Sequence, residues 1–222
     1  MAVSDSLAML RILDVHKAYD NTFVLDIPFL ELGEGIYWLK GPNGSGKTTL
    51  LQLIAGLAPF DGDITWDGIS QRNSPRKYRG NVSWAGAEPA YPSFVTGREL
   101  LAFYCRIRKS PPEEADELAT SFGIRSYLAW PVGQYSDGMV KRLSLVLAFI
   151  GKAPLIVLDE PLATLDAEIA DLLPGLIGKY RHDFGVSFIF SSHLSLASGE
   201  LPLAVRVEVN GGRVRQPCEK YE

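Results

Sequence analysis

GIYWLKGPNGSGKTTLLQLIAGL, residues Gly35–Leu57, decides how the rest of the chain is read. A short apolar strand, GIYWLK, runs straight into the glycine-rich loop GPNGSGKT at Gly41–Thr48. KTTLLQLIAGL then reads as a helix that stops near Gly56 and Pro59. Strand, loop and helix in that order are the context a phosphate-binding loop requires. In a loop of Gly41, Pro42, Asn43, Gly44, Ser45 and Gly46, the glycines let backbone N–H groups curl around a phosphate, and the helix that Lys47, Thr48 and Thr49 open adds favourable partial charge. Lys47 is placed to reach the β- and γ-phosphates of a nucleoside triphosphate, and Thr48 offers its hydroxyl to Mg²⁺. The loop predicts triphosphate binding without saying which machine uses it.

PLIVLDE, Pro154–Glu160, narrows the choice. Four apolar strand residues deliver Asp159 to the carboxyl end of a sheet, where open α/β folds place their ligands. Asp159 would hold Mg²⁺ through its water shell, and Glu160 suits a general base that polarises an attacking water. A third segment, QYSDGMVKRLSL, sits just upstream and opens a helix with Ser136, Asp137 and Gly138. A serine hydroxyl and a close-approaching glycine backbone there make a second anion-binding helix end.

These three motifs together resemble the nucleotide-binding subunit of ABC transporters over essentially the full length. QYSDGMVKRLSL stands where that family carries its Leu-Ser-Gly-Gly-Gln-like signature, with Tyr135, Asp137 and Met139 departing from the commonest form. The resemblance implies a head-to-tail dimer of such subunits binding ATP and Mg²⁺, in which Ser136–Gly138 cap the γ-phosphate held by the opposite subunit. It implies that Asp166, in LATLD, lies at the dimer interface and that His193, in FIFSSHL, contacts the γ-phosphate. Tyr19, in HKAYDN, matches the aromatic that stacks on adenine. It further implies integral membrane partners, a place on the cytoplasmic face of a membrane, and ATP hydrolysis coupled to transport. VTGRELLAFYCRI at Val95–Ile107 is similar to exporter subunits, including the cytochrome-c-maturation haem exporter group. A soluble ATPase of the same type and an ATP-binding switch with little turnover are the competing readings.

One stretch departs from the family. VSWAGAEPAYP, Val82–Pro92, stands where the family's strand ends in a glutamine that ligates Mg²⁺ and senses the γ-phosphate. Ala87 occupies that place with Glu88 beside it. Ala87 has no ligand atom, so either water completes the site, the preferred reading, or the Glu88 carboxylate reaches the metal. The metal set is therefore Thr48, Asp159 and Glu88.

The chain as a whole fits one α/β domain of 222 residues with 46% hydrophobic content and mean hydropathy +0.05. Net charge of −4 argues against a protein that coats nucleic acid. Cys105 and Cys218 have neither metal-ligand nor disulfide spacing, which fits a reducing compartment. MAVSDSLAML lacks the features of a signal peptide, and LSLVLAFI at Leu143–Ile150 is too short to span a bilayer.

RILDVHKAY and FVLDIPFLEL predict an antiparallel hairpin turning at Asp20-Asn21, and VRVEVNGGRV a second one at Asn210-Gly211. DITWDG and NVSWAG read as further short strands, and the basic run RNSPRKYR as a solvated loop. PLIVLD and VSFIFSS read as parallel strands covered on both faces. About 93–131 reads as an inserted helical subdomain, leaving about 1–92 and 132–222 as a phosphate-loop core with an N-terminal antiparallel β subdomain. Thr96 with Glu99 and Ser110 with Glu113 fit capping boxes, Pro111 fits a first helical turn, and Gly123 fits a helix stop. Pro174 predicts a kink or break in the helix from Asp166 to about His182. Tyr91, Phe94 and Phe103 are candidate apolar anchors for a membrane partner.

Overall fold

Two sheets enclose one face of the phosphate loop, and helices cover the opposite side of the larger sheet. The computed structural model describes residues 10–20, 22–192 and 204–215. β1 (Leu10–Tyr19) and β2 (Thr22–Leu32) form the expected hairpin, with Tyr19 paired to Thr22 and Asp20 at φ +45°. β3 (Ile36–Lys40) leads through the loop into α1 (Lys47–Ile54). β4 (Asp61–Trp66) and β5 (Ile69–Ser70) complete a four-stranded antiparallel sheet in the order β2-β1-β4-β5.

The chain continues through α2 (Pro75–Gly80), β6 (Val82–Ala85), α3 (Gly97–Arg108), α4 (Pro112–Ser121) and α5 (Asp137–Phe149). β7 (Leu155–Leu158), α6 (Ala167–Phe184), β8 (Ser187–Ser191), β9 (Ala204–Asn210) and β10 (Arg213–Arg215) follow. The second sheet runs β10-β9-β3-β8-β7-β6, parallel except for the β9–β10 hairpin. Gly211 and Gly212, both at positive φ, turn that hairpin one residue later than the expected Asn210-Gly211, because a two-residue turn matching strand twist needs left-handed backbone at both positions and Asn210 pairs with Arg213.

Every residue of β7 and β8 is buried, and successive side chains alternate between two apolar clusters. Ile156, Leu158, Phe188 and Phe190 pack toward α3–α6, while Leu155, Val157 and Ile189 pack toward α1 and the antiparallel sheet. Both faces are therefore apolar, which is why these strands read as continuous hydrophobic runs. The helical segment leaves and rejoins the core at one place: Val132 N–H donates to Val95 C=O at 2.8 Å and Gly133 N–H to Ser93 C=O at 2.9 Å. Thr96 and Glu99 make both bonds of a capping box at the start of α3, and Gly123 takes φ +65° after α4.

Three local expectations are corrected. RNSPRKYR is not simply a solvated loop: it contains α2, anchored by the fully buried Tyr78, whose hydroxyl donates to Ile54 C=O at 2.8 Å. Ser110 and Glu113 form no capping box. Pro111 precedes Pro112 and is held extended at ψ 145°, so α4 starts one residue later and Ser110 bonds the Glu114 carboxylate instead. α6 runs unbroken through Pro174. A proline inside a helix costs about 3 kcal/mol. Ile169, Leu173, Ile177 and Tyr180 bury one face of α6, at about 1.5–3 kcal/mol for a large side chain, and that outweighs the lost bond.

Candidate functional site

The loop Gly41–Thr48 is shaped by its neighbours. A Cβ on Gly41 would lie 2.0 Å from Val209 C=O, and Gly46 sits at φ +102° with Leu25 Cδ2 2.7 Å from where its Cβ would be. Only glycine fits either place, so strands β2 and β9 fix the loop's curvature. Pro42, Asn43, Gly44 and Thr48 are exposed at its mouth, Thr49 is half-buried, and Ser45 is buried beneath. Lys47 is buried and folds over the loop, donating to Gly41 C=O at 2.8 Å and Pro42 C=O at 3.1 Å. No acidic residue occupies the first turn of α1, so the positive end of that helix meets no carboxylate of its own turn.

β7 delivers Asp159 beside the loop. Thr48 Oγ1 donates to Asp159 Oδ1 at 3.2 Å, and Ser191 Oγ donates to the same oxygen at 2.6 Å. Asp159 is fully buried, and its Oδ2 has no hydrogen-bond partner. A buried anionic oxygen next to a threonine hydroxyl is the hard-donor chemistry that suits Mg²⁺, so the residues fit that ion. Glu160, at φ +44°, follows directly, and its N–H donates to Ser191 Oγ at 3.0 Å. One serine hydroxyl thus joins the backbone of the candidate base to the carboxylate of the candidate metal residue. Ser191 was not singled out from the sequence, where nothing distinguishes it from any strand-end serine.

β6 runs parallel to β7 with Ala85 opposite Leu158, which brings residues 86–88 to the same sheet end as Asp159. Asp159 N–H donates to Ala85 C=O at 2.8 Å. Ala87 is half-buried; Glu88 is exposed and hydrogen-bonds to no described residue. The backbone of this loop is held by Lys141 of α5, also absent from the sequence reading. Its Nζ donates to Gly86 C=O at 2.7 Å, Asp159 C=O at 2.9 Å and Ala87 C=O at 3.4 Å. Burial pulls the Lys141 ammonium down to about 8, while the facing Asp159 and Glu160 carboxylates oppose that shift.

Ser136 is the N-cap of α5, its hydroxyl accepting from Met139 N–H at 3.3 Å, with Asp137 in the first turn. Gly138 approaches Thr164 closely, since a Cβ there would be 3.0 Å from Thr164 C=O. Asp166 caps α6 through Ile169 N–H at 3.2 Å and forms an ion pair with Arg142 of α5. Tyr19 is 44% exposed at the end of β1, with Lys17 Nζ 4.3 Å from its ring centroid. His193 and Cys218 lie outside the described residues, while Cys105 is a buried free thiol. Of the candidate anchors, Phe94 is 81% and Phe103 54% exposed. Tyr91 instead packs against the core, where burial pushes its phenol up.

Comparison with known proteins bears on these motifs together. The family model described as ABC transporter matches residues 30–163. The spermidine/putrescine import ATP-binding protein PotA of Fusobacterium nucleatum is 31% identical over 223 residues, covering 96% of this chain and 58% of that protein. The cytochrome c biogenesis ATP-binding export protein CcmA of Yersinia pestis is 32% identical over 165 residues, covering 73% of this chain and 75% of that protein. The chain therefore spans little more than half the length of the first relative and about three-quarters of the second. An ATP-binding subunit of an ABC transporter superposes with TM-score 0.81 at 23% identity, covering 93% of this chain and 88% of its own. A dimeric ATP-binding cassette in a post-hydrolysis state with ADP and Pi gives TM-score 0.81 at 18% identity, covering 96% and 100%. At these identities the two structures speak for the fold.

Proposed function

The chain belongs to the ABC transporter family, and from that premise we propose that it is the ATP-hydrolysing subunit of a membrane transporter, acting as a head-to-tail dimer. The observation that carries this reading is the convergence of loop Gly41–Thr48, Asp159 and Glu160 at one sheet end, joined by the Thr48–Asp159 bond. ATP supplies the labile anhydride and Mg²⁺ the charge that steadies it. Lys47 and the loop N–H groups hold phosphate oxygens. Thr48 and Asp159 would hold the metal, with water or Glu88 in the place of the family's glutamine. Glu160 accepts the proton of the attacking water.

In the dimer, Ser136, Asp137 and Gly138 of one subunit close over the loop of the other, with Asp166 near the seam. Tyr19 stacks on the adenine, and His193 contacts the γ-phosphate. Residues 93–131, as the helical subdomain, pass opening and closing to integral membrane partners, and the exposed Phe94 and Phe103 are suited to touch them. Among the described residues no helix is long and apolar enough to cross a membrane. The transmembrane path of this reading is supplied by integral membrane subunits, with this domain on their cytoplasmic face. The relatives' names point to both import and export; the resemblance of Val95–Ile107 to exporter subunits is what supports export here. The net charge of −4 speaks against nucleic acid as a partner.

Ala87 supports a second reading, an ATP-binding switch with slow turnover. Steady-state hydrolysis by the purified chain, beside Glu160→Gln, separates the two. The transporter reading expects Mg²⁺-dependent turnover that falls at least about 100-fold in Glu160→Gln. The variant should keep ATP binding and become a stable dimer by size exclusion with Mg-ATP. Full activity in Glu160→Gln would remove that residue from the base role, and wild-type turnover no faster than the variant's would favour the switch. Co-purification with no integral membrane protein would count against transport.

A further inference from the structure

We propose that Lys141 is a positioning residue that ties the signature end of α5 to the Gly86–Ala87 loop and to Asp159 of its own subunit, so that each composite site of the dimer senses the other. The inference rests on the dimeric ATPase reading above. α5 has two ends of contact within one and a half turns. Ser136 and Gly138, at its N-terminus, belong to the site completed by the opposite subunit's loop. Lys141 lies five residues further on, about 7.5 Å along the axis at 1.5 Å per residue, and points the other way, into its own subunit.

Lys141 is 1% exposed, and its ammonium is held by carbonyls at the ends of two different strands: Gly86 and Ala87 after β6, and Asp159 after β7. Charge-assisted bonds are about twice as strong as neutral ones and are directional. A displacement of α5 must therefore either break them or carry residues 86–87 and Asp159 along. Apolar neighbours such as Leu143 and Val146 impose no such directional condition. The adjacent Arg142 joins the same helix to Asp166, and Gly138 contacts Thr164, so the start of α6 is tied to α5 as well. The residue expected to sense nucleotide at position 87 is an alanine, and the connection to Lys141 uses only its backbone.

The test exploits a property of buried cations: replacing one by an apolar residue of similar length often leaves the fold intact or more stable. Lys141→Met is therefore expected to melt near the wild type and to bind ATP in EDTA within about 2-fold of it. Its Hill coefficient for ATP hydrolysis should fall from about 2, the limit for two sites, toward 1, with kcat lowered about 10-fold. Lys141→Arg, which keeps a cationic donor, should recover most of both. A readout independent of turnover comes from Glu160→Gln with and without Lys141→Met. Adding Mg-ATP should slow hydrogen exchange at residues 85–88 and 159–160 in the parent, and less in the double variant. If Lys141→Met fails to fold, Lys141→Gln carries the same comparison. A wild type that does not hydrolyse ATP, together with a Glu160→Gln parent that does not dimerise, defeats the transporter reading. A wild type that hydrolyses ATP and a Glu160→Gln parent that dimerises, with Hill coefficient and exchange unchanged by loss of Lys141, defeat this inference alone.

Discussion

Thr48 and Asp159, 111 residues apart, meet with Thr48 Oγ1 donating to Asp159 Oδ1 at 3.2 Å, while Asp159 Oδ2 stays buried and unpaired. One oxygen is thus occupied by hydroxyls, and under the proposed function the other would meet the hydration shell of Mg²⁺. Asp159→Asn keeps the shape and removes the charge. It is expected to weaken Mg²⁺ dependence of hydrolysis by about 10–100-fold, the range for residues that act on a metal through its outer shell. Titration of activity with Mg²⁺, alongside ATP binding in EDTA, checks this; equal loss in both would mean a general disruption of the loop.

Ser191→Ala deletes a hydroxyl that serves Asp159 Oδ1 and Glu160 N–H together. The Glu160 N–H loses its acceptor in a partly buried place, so the fold should lose about 1 kcal/mol in chemical denaturation. With Asp159 and the Glu160 backbone both less constrained, kcat should fall more than ATP affinity. An alanine variant with wild-type kcat would reduce Ser191 to a packing residue.

The loop at Ala87 permits a direct contrast. Ala87→Gln restores an amide oxygen next to the Gly86–Ala87 backbone that Lys141 holds, and is expected to lower the half-saturating Mg²⁺ concentration severalfold. Glu88 is exposed with no hydrogen-bond partner among the described residues, so Glu88→Ala should change that concentration little. A large loss in Glu88→Ala with no gain in Ala87→Gln would assign the ligand role to Glu88.

Gly41→Ala brings a methyl to 2.0 Å from Val209 C=O, a contact that backbone must move to relieve. Forced overpacking of this kind costs about 1–3 kcal/mol, and here the moved backbone is the phosphate loop itself. Thermal melting should show the loss of stability and a nucleotide titration the loss of ATP affinity. Gly44→Ala meets nothing within 4 Å at its Cβ and strains only its φ of +73°, so it should be the milder change.

The residues that act through local pattern were legible in the sequence. The glycine loop, the apolar run ending in Asp159-Glu160, the serine that caps α5 and the Thr96–Glu99 capping box depend on spacing, and the structure forms each as a local unit. What only the tertiary structure decided is which distant groups those units meet. Ser191 reaches Asp159 across 32 residues, and Lys141 reaches Gly86 across 55. Nothing in the composition around either residue separates it from its neighbours, because a hydroxyl or an ammonium acquires its partner from packing. The same holds for the elements the sequence misjudged. α2 forms because Tyr78 finds Ile54, and α6 continues through Pro174 because its buried face outweighs one missing bond. Local chemistry set the parts of the site, and burial against other strands and helices set how those parts are held together.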